Sequence, residues 1–454
     1  MHLAWATRVL AVMVGAVALI HFAGGDDPSP PSTPLFTPTT AAAPGFPSPA
    51  LAHNEHQLRG LLAIAPAGAE IVITDARDAI LLTGGPLKIE RSLTLRGAGD
   101  RATLTTGGAF GALEVAPQAT LHLANLELND AAGPFAPAIL NHGHLIAEDL
   151  IIRGGTSYRG PAAINSTGYL FAKQFRVEDH RTGVGPGALK LSGTSTLKEA
   201  TFINNLGHLG GAIENRGTLD LVDAYFATNR ADEAGAIRNL GELHIEGAAF
   251  WINQAVGADS FGGALVSSGE LVITNATFMS NDATFASAIA IDSGTASLAH
   301  LSFGDNPSRG GSDLFVDATA TLEVRNTLFA QRRDQFASVD LAPGATLVSL
   351  GGNIVPHPGP RWPRAQADPP DQLGVLSPLR TASHQGTGAG GWKRVIPLPE
   401  KHPGRAALPA QACLSALDQP LRRDQSGTPR DGSMPCDVGA HQSTPSASAQ
   451  PTHP

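Results

Sequence analysis

Apolar and polar residues alternate in short runs along most of this chain, as in Glu70-Ile71-Val72-Ile73-Thr74, Leu87-Lys88-Ile89 and Ser92-Leu93-Thr94-Leu95-Arg96-Gly97. A period of two, bounded by glycines, predicts half-buried β-strands. Before them the pattern differs. Within residues 51–65 the apolar positions fall at Leu58, Leu61, Leu62 and Ile64, behind a cluster of polar residues. That spacing predicts a short amphipathic helix, placed to cover the open end of whatever the strands build.

The strand pattern repeats. Gly210-Gly211-Ala212-Ile213-Glu214-Asn215 leads to Phe226-Ala227-Thr228-Asn229, and Ala234-Gly235-Ala236-Ile237-Arg238-Asn239 leads to Phe250-Trp251-Ile252-Asn253, every landmark having moved by 24 residues. A third copy ends at Phe278-Met279-Ser280-Asn281 and a fourth at Phe303-Gly304-Asp305-Asn306. A strand-opening leucine extends the rhythm through Leu93, Leu121, Leu145, Leu170, Leu197, Leu219, Leu243, Leu271, Leu298, Leu322 and Leu347, at intervals of 22 to 28 residues. Such a period, with several short strands in each, is the length of one turn of a parallel β-helix; the Leu-x-x-Leu-x-Leu pattern of a leucine-rich repeat is missing. The fold class expected is therefore all-β, a parallel β-helix of about 11 coils, with an N-terminal capping helix and an irregular C-terminal module.

Stacking coils about 4.8 Å apart places equivalent residues in columns. Ile139, Ile164, Leu189, Ile213, Ile237, Leu265 and Ile289 form an aliphatic interior column, and Phe202, Phe226, Phe250, Phe278 and Phe303 an aromatic one. Three residues after each Phe, Asn205, Asn229, Asn253, Asn281 and Asn306 form a turn column, where an amide both donates and accepts along the ladder. Lys190, Glu214 and Arg238 are expected to alternate in sign on the exterior.

Composition adds limits. With 51 glycines, 34 prolines and 5% aromatic residues, the chain suits short strands and tight turns rather than a helical bundle. A net charge of -9 disfavours nucleic acid and anionic bilayers as main partners. Residues 1–25 carry one early cation, Arg8, and the apolar run Val9 to Ile20, which fits a signal peptide or a retained signal anchor, so export is expected and no other membrane contact. Residues 26–50, rich in Pro, Ser and Thr, are expected to be a disordered linker. The remaining divisions are a cap at 51–69, the β-helix at 70–355, a C-terminal module at 356–442 and a disordered tail at 443–454. The only cysteines, Cys413 and Cys436, are expected to pair as a disulfide in an exported chain, the alternatives being free thiols or half of a metal site.

The Gly-Gly-Ala-Ile and Phe-x-x-Asn elements between 210 and 306 resemble the repeats of polymorphic outer membrane proteins and of bacterial right-handed parallel β-helix proteins. Gly351-Gly352-Asn353-Ile354-Val355, Arg423-Asp424-Gln425-Ser426-Gly427-Thr428-Pro429-Arg430 and Cys436-Asp437-Val438-Gly439-Ala440 are similar to the choice-of-anchor Q module of exported bacterial β-helix proteins. That resemblance implies a right-handed helix displayed or released outside the cell, with no defined enzymatic activity. Where the family ends in Gly-Ala-Phe-Glu, this chain has Gly439-Ala440-His441-Gln442.

Catalysis on such a stack needs carboxylates converging on one face. The best candidates are Glu199 and Asp223, three residues before Phe202 and Phe226; their next equivalents, Gly247, Asn275 and His300, do not extend an acidic cluster. Asp232-Glu233 and His142 with His144 read as surface groups, and no nucleophile elbow, HExxH or phosphate loop occurs, so no cofactor or metal is expected. The functional expectation is a non-enzymatic exported protein that binds or adheres, with polysaccharide or a host or matrix surface as partner. The alternative is a carbohydrate-active enzyme of the lyase or glycosidase type.

Overall fold

A computed structural model describes residues 46–74, 79–329, 336–363 and 371–373. The leader at 1–25, both cysteines and most of the C-terminal module lie outside the described residues.

The chain is an all-β parallel solenoid of about 12 turns with a single helix among the described residues. A typical coil contributes one long strand and one short one. The long strands, such as Thr120–Asn129, His144–Arg153 and Thr218–Ala227, run 10 residues each and pair in parallel with the coils above and below. The short strands, three residues each from Leu87–Ile89 to Val339–Leu341, form a separate ladder of 11.

Each long strand is bent by one residue in the left-handed region. Asn125, Asp149, Gln174, Glu199, Asp223, Gly247, Asn275, His300 and Asn326 hold this position on successive coils, with φ between 50° and 77°. One left-handed residue turns the chain a corner and splits the strand into two facets, and Asn, Asp and Gly tolerate the conformation best. Near the ends of the stack the same corner separates two shorter strands, Leu93–Gly97 from Ala102–Thr105 and Ala320–Arg325 from Leu328–Phe329.

The expected interior columns are present in register. The aliphatic column runs through Ile139, Ile164, Leu189, Ile213, Ile237, Leu265 and Ile289, continuing to Leu314 and Val339. Phe202, Phe226, Phe250, Phe278, Phe303 and the unanticipated Phe329 stack with centroids 4.6 to 5.2 Å apart and nearly parallel planes. Strand repeat favours that face-to-face geometry, because in-register pairing sets each ring directly over the one a coil before. Two rings end the column edge-on: Phe175 against Phe202, and Trp362 against Phe329.

Two leucine landmarks are corrected. The partner of Leu170 is Ser195, not Leu197, and the partner of Leu271 is Ala296, not Leu298. A displacement of two residues keeps a side chain on the interior face, so a leucine there satisfies the apolar pattern equally well. With the register corrected, the coil steps are 24 to 28 residues.

The paired glycines divide their work. Gly210 and Gly262 have positive φ, a position that Ala234 also occupies. Gly211, Gly235 and Gly263 are set by space instead: a Cβ on any of them would stand 2.0 to 2.1 Å from a carbonyl oxygen of the next coil.

The helix Glu55–Ile64 covers the first coil. Asn54 caps it through Gln57 N–H, and Leu58 is buried in the core. Glu55 accepts from Thr83 N–H, Thr83 Oγ1 and Gly84 N–H and pairs with Arg59, which ties the cap to the coil beneath it. The first strand, Ala50–Ala52, already pairs with Ile71–Ile73, so ordered structure reaches the last residue of the expected linker.

Candidate functional site

The Asn column is interior. Asn205 Nδ2 donates to Asn229 Oδ1 at 2.9 Å, Asn229 to Asn253 at 3.0 Å, Asn253 to Asn281 at 3.0 Å and Asn281 to Asn306 at 3.2 Å. Each Nδ2 also donates to the carbonyl of a Phe or Val in the neighbouring coil, and each Oδ1 also accepts the backbone N–H of the preceding Asn position. His180 begins the ladder. Its N–H donates to Asn205 Oδ1, and its Nε2 meets Ile152 O at 3.2 Å. Burial pushes its pKa down to about 4, against opposing contributions from the Ile152 carbonyl and Asp179. These side chains close backbone valences at a buried corner, and of His180 and the five asparagines only His180 has a buried polar atom, Nδ1, without a partner.

A second ladder runs through the Gly-Ala-Ile-x-Asn repeat. Asn215 Nδ2 donates to Asn239 Oδ1 at 2.8 Å, and Asn239 Nδ2 to Ser267 Oγ at 3.0 Å, at the end of the short strands. The Ile-x-Asn triplets carried its signal.

Glu199 and Asp223 do stand on adjacent coils, but as corner residues with φ of 52° and 55°. Glu199 lies 3.9 Å from Lys173, and Asp149 of the same column is paired with Arg101. Further along, Asn326 Nδ2 meets His300 Nε2 at 3.2 Å. What the residues of this column share is the left-handed corner conformation, which Asn, Asp, His and Gly adopt most readily. The other groups singled out also have local partners: Asp232 with His208, Glu233 with Arg238, and His142 with Thr167. Among the described residues no cluster of three or more His, Asp or Glu is placed to hold a metal ion.

The exterior ladder Lys190, Glu214, Arg238 is in register, yet Glu214 is a correction. It is 2% exposed. Arg216, from the same coil, folds over it with Nε at 2.6 Å, while Lys190 and Arg238 approach to 3.8 and 3.9 Å. Three cations thus share one buried carboxylate.

The surface that sequence reasoning missed is the row of loops leading into the short strands. Phe135, Tyr158 and Val184 project from three successive loops with exposures of 74%, 62% and 59%. The loops are laid on one another by backbone bonds, Tyr158 N–H to Pro134 O, Gly183 N–H to Ser157 O and Gly160 N–H to Val184 O. The Phe135 and Tyr158 rings lie 5.8 Å apart; Arg159, next to Tyr158 in the chain, and Arg181, paired with Thr156 from the adjacent coil, are both exposed. Loops vary in length and sequence from coil to coil, so no repeat announces these side chains.

No family model, curated protein or solved structure matches the chain. No helix among the described residues is long and apolar enough to cross a membrane.

Proposed function

We propose that this is an exported, non-enzymatic β-solenoid protein that binds or adheres at the cell surface or outside the cell through its loop edge. The observation that carries the reading is the stacked, solvent-facing row of Phe135, Tyr158 and Val184. Large apolar side chains grouped on a surface mark interaction sites, and aromatic rings beside arginines suit the faces of sugar rings and the side chains of matrix proteins. Tight hydrogen bonding between successive coils holds the loops that carry them, so little ordering entropy opposes binding.

The apolar leader at residues 1–25 supports export, and the likeness to the choice-of-anchor Q module supports an extracytoplasmic role. Part of that likeness has a structural use. In Gly351-Gly352-Asn353-Ile354-Val355 both glycines have positive φ, and buried Asn353 accepts from Thr327 N–H and donates to Val324 O at the end of the stack. The enzymatic alternative has less support, since its carboxylates Glu199 and Asp223 serve as corner residues.

The test is retention of the purified chain on immobilised acidic and neutral polysaccharides and matrix proteins, with product analysis of the soluble polysaccharides with and without calcium. Retention without new reducing ends or unsaturated products supports the proposal. Product formation, or no retention on any member of the panel, overturns it.

A further inference from the structure

We propose that the outer face of the short-strand sheet is a self-association surface, on which two copies of the chain pack antiparallel about a two-fold axis lying along the strands over Val266. The outward residues of that face follow one another in register as Lys190, Glu214, Arg238, Val266, Ala290, Phe315 and Asp340. Two residues after Glu214, Ala290 and Phe315, in the turn that follows each strand, stand Arg216, Asp292 and Asp317.

Charge on this face is polarised. On one side Lys190, Arg216 and Arg238 surround Glu214, whose carboxylate is sealed from solvent, and the next acid, Glu233, lies 3.8 Å from Arg238. On the other side are Asp292, Asp317 and Asp340. The pKa of Asp292 is raised, first by burial and then by Glu233 and Asp317, which together outweigh the Ser268 hydrogen bond and the charge of Arg238. Arg361, beyond Asp340, donates to Leu341 O.

The middle is apolar. Phe261 and Phe315 pack against the cluster of Val266 and Ala290 with their rings 5.4 Å apart, and Phe285 stacks on Phe261 at 5.2 Å. All three rings are only partly buried, so they present an aromatic surface between the two charged ends.

The arrangement is symmetric about Val266 in position and opposite in sign. Lys190 lies three coils before it and Asp340 three after; Arg216 belongs to the coil two before and Asp317 to the coil two after; Arg238 and Asp292 belong to the adjacent coils. A two-fold axis along the strands reverses coil order, so Lys190 meets Asp340 and Arg216 meets Asp317 of the other copy, Arg238 lies opposite Ala290 two residues from Asp292, and Phe261 and Phe285 meet near the axis. Parallel packing would set like charge against like. Seven coils extend only about 30 Å, which places the contact at the small end of specific interfaces and makes a weak, salt-sensitive dimer the expected form.

Sedimentation equilibrium of the full chain over about 1–100 µM is expected to show a reversible dimer that weakens as salt rises. Lys190→Asp and Asp340→Lys should each weaken association roughly tenfold or more, and the double variant should recover to within about threefold of the original. These positions are about 29 Å apart within one chain, so such a rescue requires a second copy. Should Lys190→Asp fail to fold by circular dichroism, Asp317→Lys with Asp340→Lys, both on the solvent side, is expected to give a folded monomer. A chain monomeric at every concentration and salt, a double variant no better than the worse single one, or a folded Asp317→Lys, Asp340→Lys variant that still dimerises overturns the proposal.

Discussion

Asn253 shows what a single side chain does in this fold. Its Oδ1 accepts from both the backbone N–H and the Nδ2 of Asn229, and its Nδ2 donates to Phe226 O and Asn281 Oδ1. Asn253→Ala removes all four bonds at a fully buried site. The expected loss is about 2–4 kcal/mol by urea denaturation, and a loss below ~1 kcal/mol would contradict the ladder's role. His180 makes the same connections less completely, its Nδ1 being buried without a partner, and burial keeps the imidazole neutral. Its folded pKa, about 4, lies below the ordinary value of 6.5. Stability on its account is therefore full above pH 6.5 and declines as pH falls toward 4, where the unfolded chain takes up a proton that the folded chain refuses. Replacing it with the ladder's own residue, His180→Asn, should flatten that part of the melting temperature against pH curve. An unchanged curve would place the titration elsewhere.

Among elements, the columns were legible because one residue type recurs at a near-constant step, and the physics of stacked coils turns recurrence into contact. Phe202 to Phe303 and Asn205 to Asn306 are of this kind. Leu197 and Leu298 slipped by two because alternation fixes the face and not the register, and small residues, Ser195 and Ala296, fill the true positions. Glu214 was expected on the exterior because its column position says so; its burial comes from the side chain of Arg216, which the strand pattern does not encode. Glu199 and Asp223 are legible as carboxylates on adjacent coils but not as left-handed corner residues, because a corner and an acidic cluster draw on overlapping residue types. The cap was legible as a helix, but not its fastening. Glu55 is held at a pKa of about 2: burial, the largest single influence, works against this, and the hydrogen bonds from Thr83, Gly84 and Arg59 together prevail. A depressed carboxylate stabilises fully above its unfolded value near 4.5 and progressively less as pH falls toward 2. Hydrogen exchange, corrected for intrinsic rates, should therefore show residues 55–64 and 83–84 losing protection in acid ahead of the central coils, and uniform loss across the stack would contradict this.

At the scale of the whole solenoid, structure and display fall to different residues. Interior columns and corner residues hold the coils in register, and the proposed contacts fall on the loop edge at Phe135, Tyr158 and Val184 and on the polarised short-strand face. Pairing two copies through the short strands would double the number of loop edges per particle and raise avidity for a repetitive ligand without any new contact at the edge. The most direct test compares the dissociation constants of two double variants on whichever polysaccharide or matrix ligand retains the chain. Phe135→Ala with Tyr158→Ala should bind at least about tenfold more weakly while melting normally, and Glu199→Gln with Asp223→Asn should bind as the unsubstituted chain does. Binding that survives loss of the aromatic pair and fails with the corner pair would contradict the account.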